Sequence, residues 1–401
     1  MRLGHCNGQI AIAGAGIAGL SAAIALKLAG YAVAIFEREQ ELHEVGAGIQ
    51  MGPHATRIME SWQLQLLGSA VEPEVLELRK ATSGALLNTL PLKPGIRVRY
   101  GSPYLTLLRA DLQKALLARA AELEIPIEYG APISSARGNR GGVAVEAGNT
   151  SLAAAALIGA DGIKSAVRGL AGFHPRTYSA QAAAWRGLLP LSAIPVSMRN
   201  RIVLWMAPGA HLVHYPVSGG TRINAVLVID DVYQMDREDQ ADVPAYLQRR
   251  LSGWAETPLS VIASAPEWLK WRIFGVEKWQ GGEGRVQLVG DAWHAMRPYL
   301  ASGGVMAVED GAAIAVSLTE SQGDIVEGLK LFRKSRGPRV WRVAQASAQM
   351  GRVYNCPQPF DMVRDLAIRV SSGSRLLGRR DWLYGVGSDG TGGKVEARGA
   401  H

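Results

Sequence analysis

The sequence predicts an α/β fold in which a parallel sheet with covering helices is interrupted by an inserted, mainly antiparallel β-sheet layer and followed by C-terminal helices. Three observations carry this prediction. The chain opens with a glycine-punctuated strand, helix and strand. Two later apolar strands each run into an aspartate, and between them lie short strand-like segments separated by turn signals.

The opening unit is the most informative. Gln9 to Ala13 reads as a buried strand, Gly14-Ala15-Gly16-Ile17-Ala18-Gly19 follows, and a helix is expected from Leu20 to Ala29. Gly30 ends that helix, and Ala32 to Phe36 forms the next strand, closing with Glu37. In such a unit the first glycine makes the tight turn, the second lets a pyrophosphate approach the backbone, and the third lets helix and strand pack closely. The helix start offers N–H groups and partial positive charge to the phosphates. Glu37 stands 18 residues after Gly19, where an acid can accept from ribose hydroxyls. These residues predict a dinucleotide site; the fingerprint alone fits NAD and FAD equally.

The later strands share a punctuation. Ala155 to Gly159 leads into Asp161-Gly162, with Ser165 and Arg168 beyond; Val286 to Val289 leads into Gly290-Asp291, with His294, Pro298 and a Gly303-Gly304 pair that opens an apolar helix. Two readings fit each aspartate: an acceptor for a cofactor polyol at a strand's carboxyl end, or a cap on the turn or helix that follows.

Between these segments, Ala183 to Leu189, Ile202 to Met206, His211 to Val217 and Ile223 to Ile229 read as strands, with turns at Ala207-Pro208-Gly209 and Ser218-Gly219-Gly220. Side chains two apart share a face, so His211, Val213 and Tyr215 point together and His214 points away. An imidazole and a phenol on one face suit a grip on a phenolic substrate, with His211 as the base. They equally suit ordinary half-buried sheet residues.

Composition narrows the class. At 401 residues, with 48% hydrophobic and 19% charged residues, the chain suits two packed domains rather than a disordered or fibrous protein. The formal charge of +8 is spread along the chain without a nucleic-acid motif, which implies mild attraction for small anions and no nucleic-acid partner. Cys6 and Cys356 form no paired motif, so no metal site is expected and a cytoplasmic location fits. The apolar run from Ile10 to Ala29 is broken by its glycines, so it is read as strand and helix rather than as a membrane segment.

Together these segments resemble the class A, single-component flavoprotein monooxygenases, and within them the salicylate hydroxylase-like group that includes hydroxybenzoate and 6-hydroxynicotinate hydroxylases. The resemblance also covers the Gly46-Ala47-Gly48-Ile49-Gln50 loop, Arg109-Ala110-Asp111-Leu112, Arg339, Arg342, Met350-Gly351-Arg352, Arg364-Asp365 and Asp381-Trp382-Leu383-Tyr384. It implies a Rossmann-like FAD-binding domain with tightly bound FAD. The cofactor is expected on Gly14, Gly16, Ala18, Gly19, Glu37, Arg38, Gly48, Arg109, Asp161, Asp291, Gly304 and Val305, and catalysis on His211 and Tyr215. It further implies NADH or NADPH as transient co-substrate, and O2 attack through a flavin C4a-hydroperoxide on a small phenolic or N-heteroaromatic ring, carboxylated in this reading. The protein is expected to act as a monomer or homodimer. A flavin-dependent oxidase or dehydrogenase, and a non-catalytic FAD-binding protein, are the rival readings. Four positions depart from the group's common wording: His54, Leu108, Trp293 and Ser302, all expected near the flavin.

The expected division is a discontinuous FAD-binding domain over 1–72, 99–175 and 268–345, a substrate-binding sheet layer over 73–98 and 176–267, and a C-terminal helical segment over 346–401.

Overall fold

The computed structural model describes residues 8–42, 47–66, 68–139, 141–174, 176–230, 243–277, 280–387 and 390. Gly46, Cys6 and residues 391–401 lie outside them.

The fold is α/β, as the sequence predicts. Six strands form one sheet in the order Gly282–Glu283, Val286–Leu288, Ala156–Gly159, Ile10–Ala13, Val33–Phe36, Ile127–Glu128; only the first pair is antiparallel. Ile10–Ala13, Val33–Phe36 and Ala156–Gly159 are buried at every residue, which explains their unbroken apolar runs rather than alternation. Helices Ile17–Leu28, Arg109–Glu122 and Gly303–Glu320 and a three-stranded sheet contribute to the same core, the latter through Ile133, Val143, Val145 and Ala147.

Register aligns the strand ends. Ala13 stands beside Phe36 and Gly159, and Gly159 beside Leu288. Gly14, Glu37, Ala160-Asp161 and Gly290-Asp291 therefore emerge along one edge, the carboxyl edge where open α/β sheets bind ligands.

The first helix begins at Ile17, three residues before the expected Leu20, because Gly16 is its N-cap and Gly19 already lies in its first turn. A Cβ on Gly19 would stand 1.8 Å from the Gly14 carbonyl oxygen, so only glycine allows the helix to start this close to the strand.

A seven-stranded sheet runs in the order Leu269–Glu277, Arg176–Pro190, Arg222–Asp230, Ala210–Val217, Arg201–Ala207, Val75–Lys80, Leu86–Pro91. The pairs among the middle strands are antiparallel, as the turn signals predict. Val75–Lys80 joins Arg201–Ala207 in parallel, a pairing that no local signal announces. One face of this sheet packs on helices Val243–Arg250 and Glu256–Ala263 around Trp205, Leu212 and Leu227. The other turns toward the six-stranded sheet.

The 30-residue helix Ile325–Tyr354 spans both sheets and is capped by Asp324, which accepts from the N–H groups of Val326 and Glu327. Its successor, Phe360–Val370, turns its charges inward: Asp361, Arg364 and Asp365 are buried, with Lys80 paired to Asp365 at 3.0 Å. Among the described residues, no helix is long and apolar enough to cross a membrane.

Candidate active site

The cradle at the carboxyl edge is built from main chain. Gly14 has φ +100°, a conformation open to glycine, and a Cβ there would stand 2.8 Å from the Ala160 carbonyl oxygen. Gly16 faces open space, with no atom within 4 Å of where its Cβ would be. Glu37 is buried and its carboxylate accepts from the N–H groups of Ala15 at 2.7 Å and Glu39 at 3.0 Å, tying the second strand's end to the glycine turn. Arg38 is exposed and pairs with Glu39 at 2.9 Å. Ala18 lies against Gly290, whose φ of 57° and ψ of −144° belong to glycine and whose Cβ would stand 2.7 Å from that of Ala18.

The two strand-end aspartates part company. Asp161, expected to hold the cofactor, binds the Ser165 hydroxyl with its carboxylate and accepts from the N–H groups of Ala166 at 2.7 Å and Val167 at 3.1 Å. It thereby supports the start of the helix Ala166–Leu170, whose N-cap is Ser165. Asp291 is exposed and has no hydrogen-bond or ion-pair partner among the described residues, although it opens the turn Asp291–His294. The turn is held by another residue: Asp310 accepts from Gly290 N–H at 2.9 Å and meets His294 Nε2 at 2.6 Å.

Asp310 belongs to a buried network that no spacing in the sequence reveals. Arg336, fully buried, donates from Nε to Asp310 at 2.9 Å and from Nη1 to Glu309 at 2.6 Å. Arg339 forks onto Glu309 at 2.7 and 2.6 Å and reaches the carbonyls of Trp382 and Leu383. Burial pushes the Glu309 carboxyl up, but Arg339 and Arg336 outweigh it and hold it at about 2. The network pins helix Gly303–Glu320, and with it the glycine pair at its start, to the long helix.

That start fits an anionic or electron-rich group. Neither Ile17–Leu28 nor Gly303–Glu320 has a side-chain cap or an acid in its first turn, so their leading N–H groups have no intrahelical acceptor and both point at the strand edge. Gly304 and Val305 lie in the second of these turns. Val305 is buried, and a Cβ on Gly304 would stand 2.4 Å from Ile49 Cδ1. Free donors, the open space at Gly16 and the unpaired Asp291 make a set that fits FAD. Gln113, which sequence reasoning missed, is buried and donates to the Ala15 carbonyl at 3.2 Å. Arg109 opens its own helix and its N–H donates to the Ala47 carbonyl at 2.9 Å.

Facing the cradle is the inner side of the seven-stranded sheet. Register sets Ala184, Val228, His211 and Met206 in one row, Arg186, Val226, Val213 and Leu204 in the next, and Leu188, Asn224 and Tyr215 in the third. Most of these are apolar; His211, Arg186, Asn224 and Tyr215 are the polar exceptions. His211 and Tyr215 share the face as expected, but at opposite ends of it. Tyr215 stands at the Gly48 end, where a Cβ on Gly48 would lie 2.8 Å from its ring, and it interacts with Gln50. Gln50 also accepts from Tyr104 at 2.8 Å. Gly48 itself donates to Asn224 Oδ1 at 2.7 Å.

His211 stands near Tyr299 and Tyr354, with ring centroids 5.6 and 5.3 Å away, and its Nδ1 meets Asn355 Oδ1 at 2.6 Å. Burial pushes its imidazole down to about 4, against the opposing Asn355 hydrogen bond, so it is neutral near pH 7. His214 points the other way, as the alternation predicts. It stacks on Trp205 with both ring nitrogens unpartnered, and burial pushes it down to about 4.

Arg186 and Asn224 were missed. The signal for Arg186 is a single charge inside Ala182-Ala183-Ala184-Trp185-Arg186-Gly187-Leu188-Leu189, an otherwise apolar strand where a charge requires a reason. Of the four departures from the common wording, Trp293 is turned into the core against Gly281 and Phe332. His54 is buried beside Tyr384 and Glu309, where burial pushes it down to about 3. Ser302 donates to the Leu300 carbonyl at 2.9 Å, and Leu108 is the N-cap of the Arg109 helix.

Comparison with known proteins bears on this arrangement. A family model described as FAD binding domain matches residues 7–347. The chain is 31% identical over 397 residues to 3-hydroxybenzoate 6-hydroxylase of Polaromonas naphthalenivorans (strain CJ2), covering 94% of this chain and 95% of that protein. It is 30% identical over 384 residues to 3-amino-4-hydroxybenzoate 2-monooxygenase of Streptomyces cremeus, covering 94% and 95%. Among solved structures it is similar to a variant of Klebsiella pneumoniae HpxO complexed with FAD, with a TM-score of 0.83, 25% identity and coverage of 94% of this chain and 98% of that one.

Proposed function

The chain belongs to the FAD binding domain family, and from that premise we propose that this FAD-dependent aromatic monooxygenase hydroxylates a small, carboxylated phenolic or N-heteroaromatic ring with NAD(P)H and O2. The observation that carries the reading is a buried, neutral imidazole on a mostly apolar sheet face opposite the cofactor cradle.

When bound, FAD supplies acceptance of hydride from the nicotinamide and activation of O2. Asp291, Glu37, Gly14, Gly16 and the first helix hold its polar half, with Ala18 and Gly19 shaping the turn. Gly48, Arg109, Gly304 and Val305 border the ring half, and Arg38 stands at the outer rim. The apolar rows of the sheet exclude water from the ring to be hydroxylated. Arg186, half-buried among them, pairs with the substrate carboxylate. Tyr215, ordered by Gln50, donates to the substrate, since burial pushes its phenol up and keeps it protonated.

His211 takes the proton from the substrate hydroxyl. An imidazole held at about 4 does not strip a resting phenol. The hydroxyl becomes acidic as the ring gives up electrons to the incoming oxygen, so the proton moves as that bond forms.

The test is a panel of hydroxybenzoates, aminohydroxybenzoates and hydroxynicotinates scored for stimulated NAD(P)H oxidation and for product mass. A substrate stimulates oxidation and gains one oxygen atom; stimulation without added oxygen across the whole panel overturns the reading. With a substrate in hand, His211→Ala is expected to slow single-turnover hydroxylation by roughly 100- to 10,000-fold while FAD stays bound.

A further inference from the structure

The long helix Ile325–Tyr354 ends at a residue that reaches the imidazole. Asn355 is buried at 6% exposure. Its N–H donates to the Gly351 carbonyl at 3.0 Å, and its own carbonyl accepts from Gly209 N–H at 3.1 Å. Gly209 forms the turn between Arg201–Ala207 and Ala210–Val217, and its carbonyl accepts from Asp230 N–H at 2.8 Å. Asn355 thus joins the helix end to the turn that precedes His211, and Gly209 carries the link on to the end of the strand Arg222–Asp230. From that fixed position, Oδ1 meets His211 Nδ1 at 2.6 Å.

An amide oxygen only accepts, so Nδ1 carries the hydrogen and the neutral ring has its lone pair on Nε2. The flipped amide would aim Nδ2 at the imidazole and reverse the tautomer, so the orientation has to be argued. Asp230 supplies the argument. Asp230 and Asn355 border the same cavity, and the Asn355 side chain opposes the rise that burial imposes on the Asp230 carboxyl, so the two groups face each other. The flip would set the amide oxygen against that carboxylate, two acceptors together. Nδ2 is buried and closes no hydrogen bond at bonding length, so the preference acts across a gap.

Other elements complete the surroundings. Tyr299 and Tyr354 pack on the imidazole, and burial keeps the Tyr354 phenol protonated. Arg297, Arg352, Asp230, Tyr299 and Asn355 border a cavity of about 230 Å³.

We infer that Asn355 is a positioning residue: it holds His211 in the Nδ1–H tautomer and so presents Nε2 as the acceptor for the substrate hydroxyl, with Asp230 setting the direction of the amide. The inference rests on the reading of His211 as the base.

Three variants of the full-length, FAD-loaded protein test it, each followed by single-turnover hydroxylation, flavin reduction and the pH profile of kcat. Asn355→Leu removes the acceptor and is expected to slow hydroxylation by roughly 10- to 100-fold, part of what a general base contributes, with flavin reduction changed less than about twofold. Asn355→Asp keeps an acceptor and adds charge that favours imidazolium, so hydroxylation near pH 7 is retained to within about threefold. The acidic limb of its profile moves up by about one pH unit or more. A purely architectural role would slow both variants alike and leave that limb in place, which overturns the inference. His211→Ala separates the two readings. If it hydroxylates at the wild-type rate, the base itself is misassigned. If it is slow while Asn355→Leu is not, only the positioning role fails.

Discussion

Asp161 and Asp291 follow the same kind of strand in the same sheet, yet one is consumed by its own neighbours and the other is left open. Asp161 has Ser165 and the N–H groups of Ala166 and Val167 within reach, so the chain just beyond it supplies all its donors. At Asp291 the turn closes on the Gly290 carbonyl, which accepts from the N–H groups of Trp293 and His294, while Asp310 on Gly303–Glu320 takes Gly290 N–H. A carboxylate becomes available to a ligand when something else satisfies its turn. At the second strand that something is the Gly290 carbonyl together with a buried ion-pair network, and at the first there is no such network among the described residues.

Breaking the network should therefore have the largest effect and erase the distinction. Arg336→Met leaves Glu309 and Asp310 short of a partner at full burial, with an expected loss of about 3–5 kcal/mol in urea unfolding. A loss below about 1 kcal/mol would show that Arg339 and His294 suffice and that the Gly290 turn does not depend on Arg336.

The aspartates themselves come next. Asp291→Ala is expected to weaken FAD retention by roughly 10- to 100-fold, the worth of one or two hydrogen bonds to a charged group, with little change in apoprotein stability. Asp161→Ala should do the reverse, costing about 1–2 kcal/mol of stability as lost support for a helix start while FAD affinity stays within about threefold. Flavin absorbance after gel filtration and apoprotein melting read both, and an exchange of the two phenotypes would reverse the assignment.

A smaller effect sets the pH range in which the two can be compared. His54, His211 and His214 are held at about 3, 4 and 4 in the folded protein, so the unfolded chain binds their protons first. Their stability is fully present above the ordinary imidazole value and is lost as pH falls from 6.5 toward 4, and toward 3 for His54. Glu309, at about 2, gives up its share below the usual carboxylate range. Linkage assigns His214 about 2 kcal/mol of the difference between pH 8 and pH 5. His214→Phe keeps the ring against Trp205 and should narrow that difference by about this amount in urea midpoints. An unchanged difference would mean that His214 protonates without penalty.

Much of the cradle was legible because its signals are local. Gly14, Gly16, Gly19 and Glu37 fall within one strand-helix-strand unit, where steric demand and strand length dictate residue and spacing. Alternation likewise placed His211 and Tyr215 on one face and His214 on the other. Arg38 lay in the same local pattern, and its side chain is exposed and paired with Glu39.

What stayed hidden depends on contacts between distant segments. Gly48 meets Asn224 across 176 residues, His211 meets Asn355 across 144, and Gln113 meets the Ala15 carbonyl across 98. Backbone sterics and side-chain periodicity act over a few residues, so the sequence by itself determined the parallel-sheet opening, the glycine turn and the faces of the strands. Which polar groups are already satisfied is a property of what packs against them. Only the tertiary structure decided that Asp161 is tied to the helix after it, that Asp310 holds the Gly290 turn, and that an asparagine at a helix end meets the imidazole.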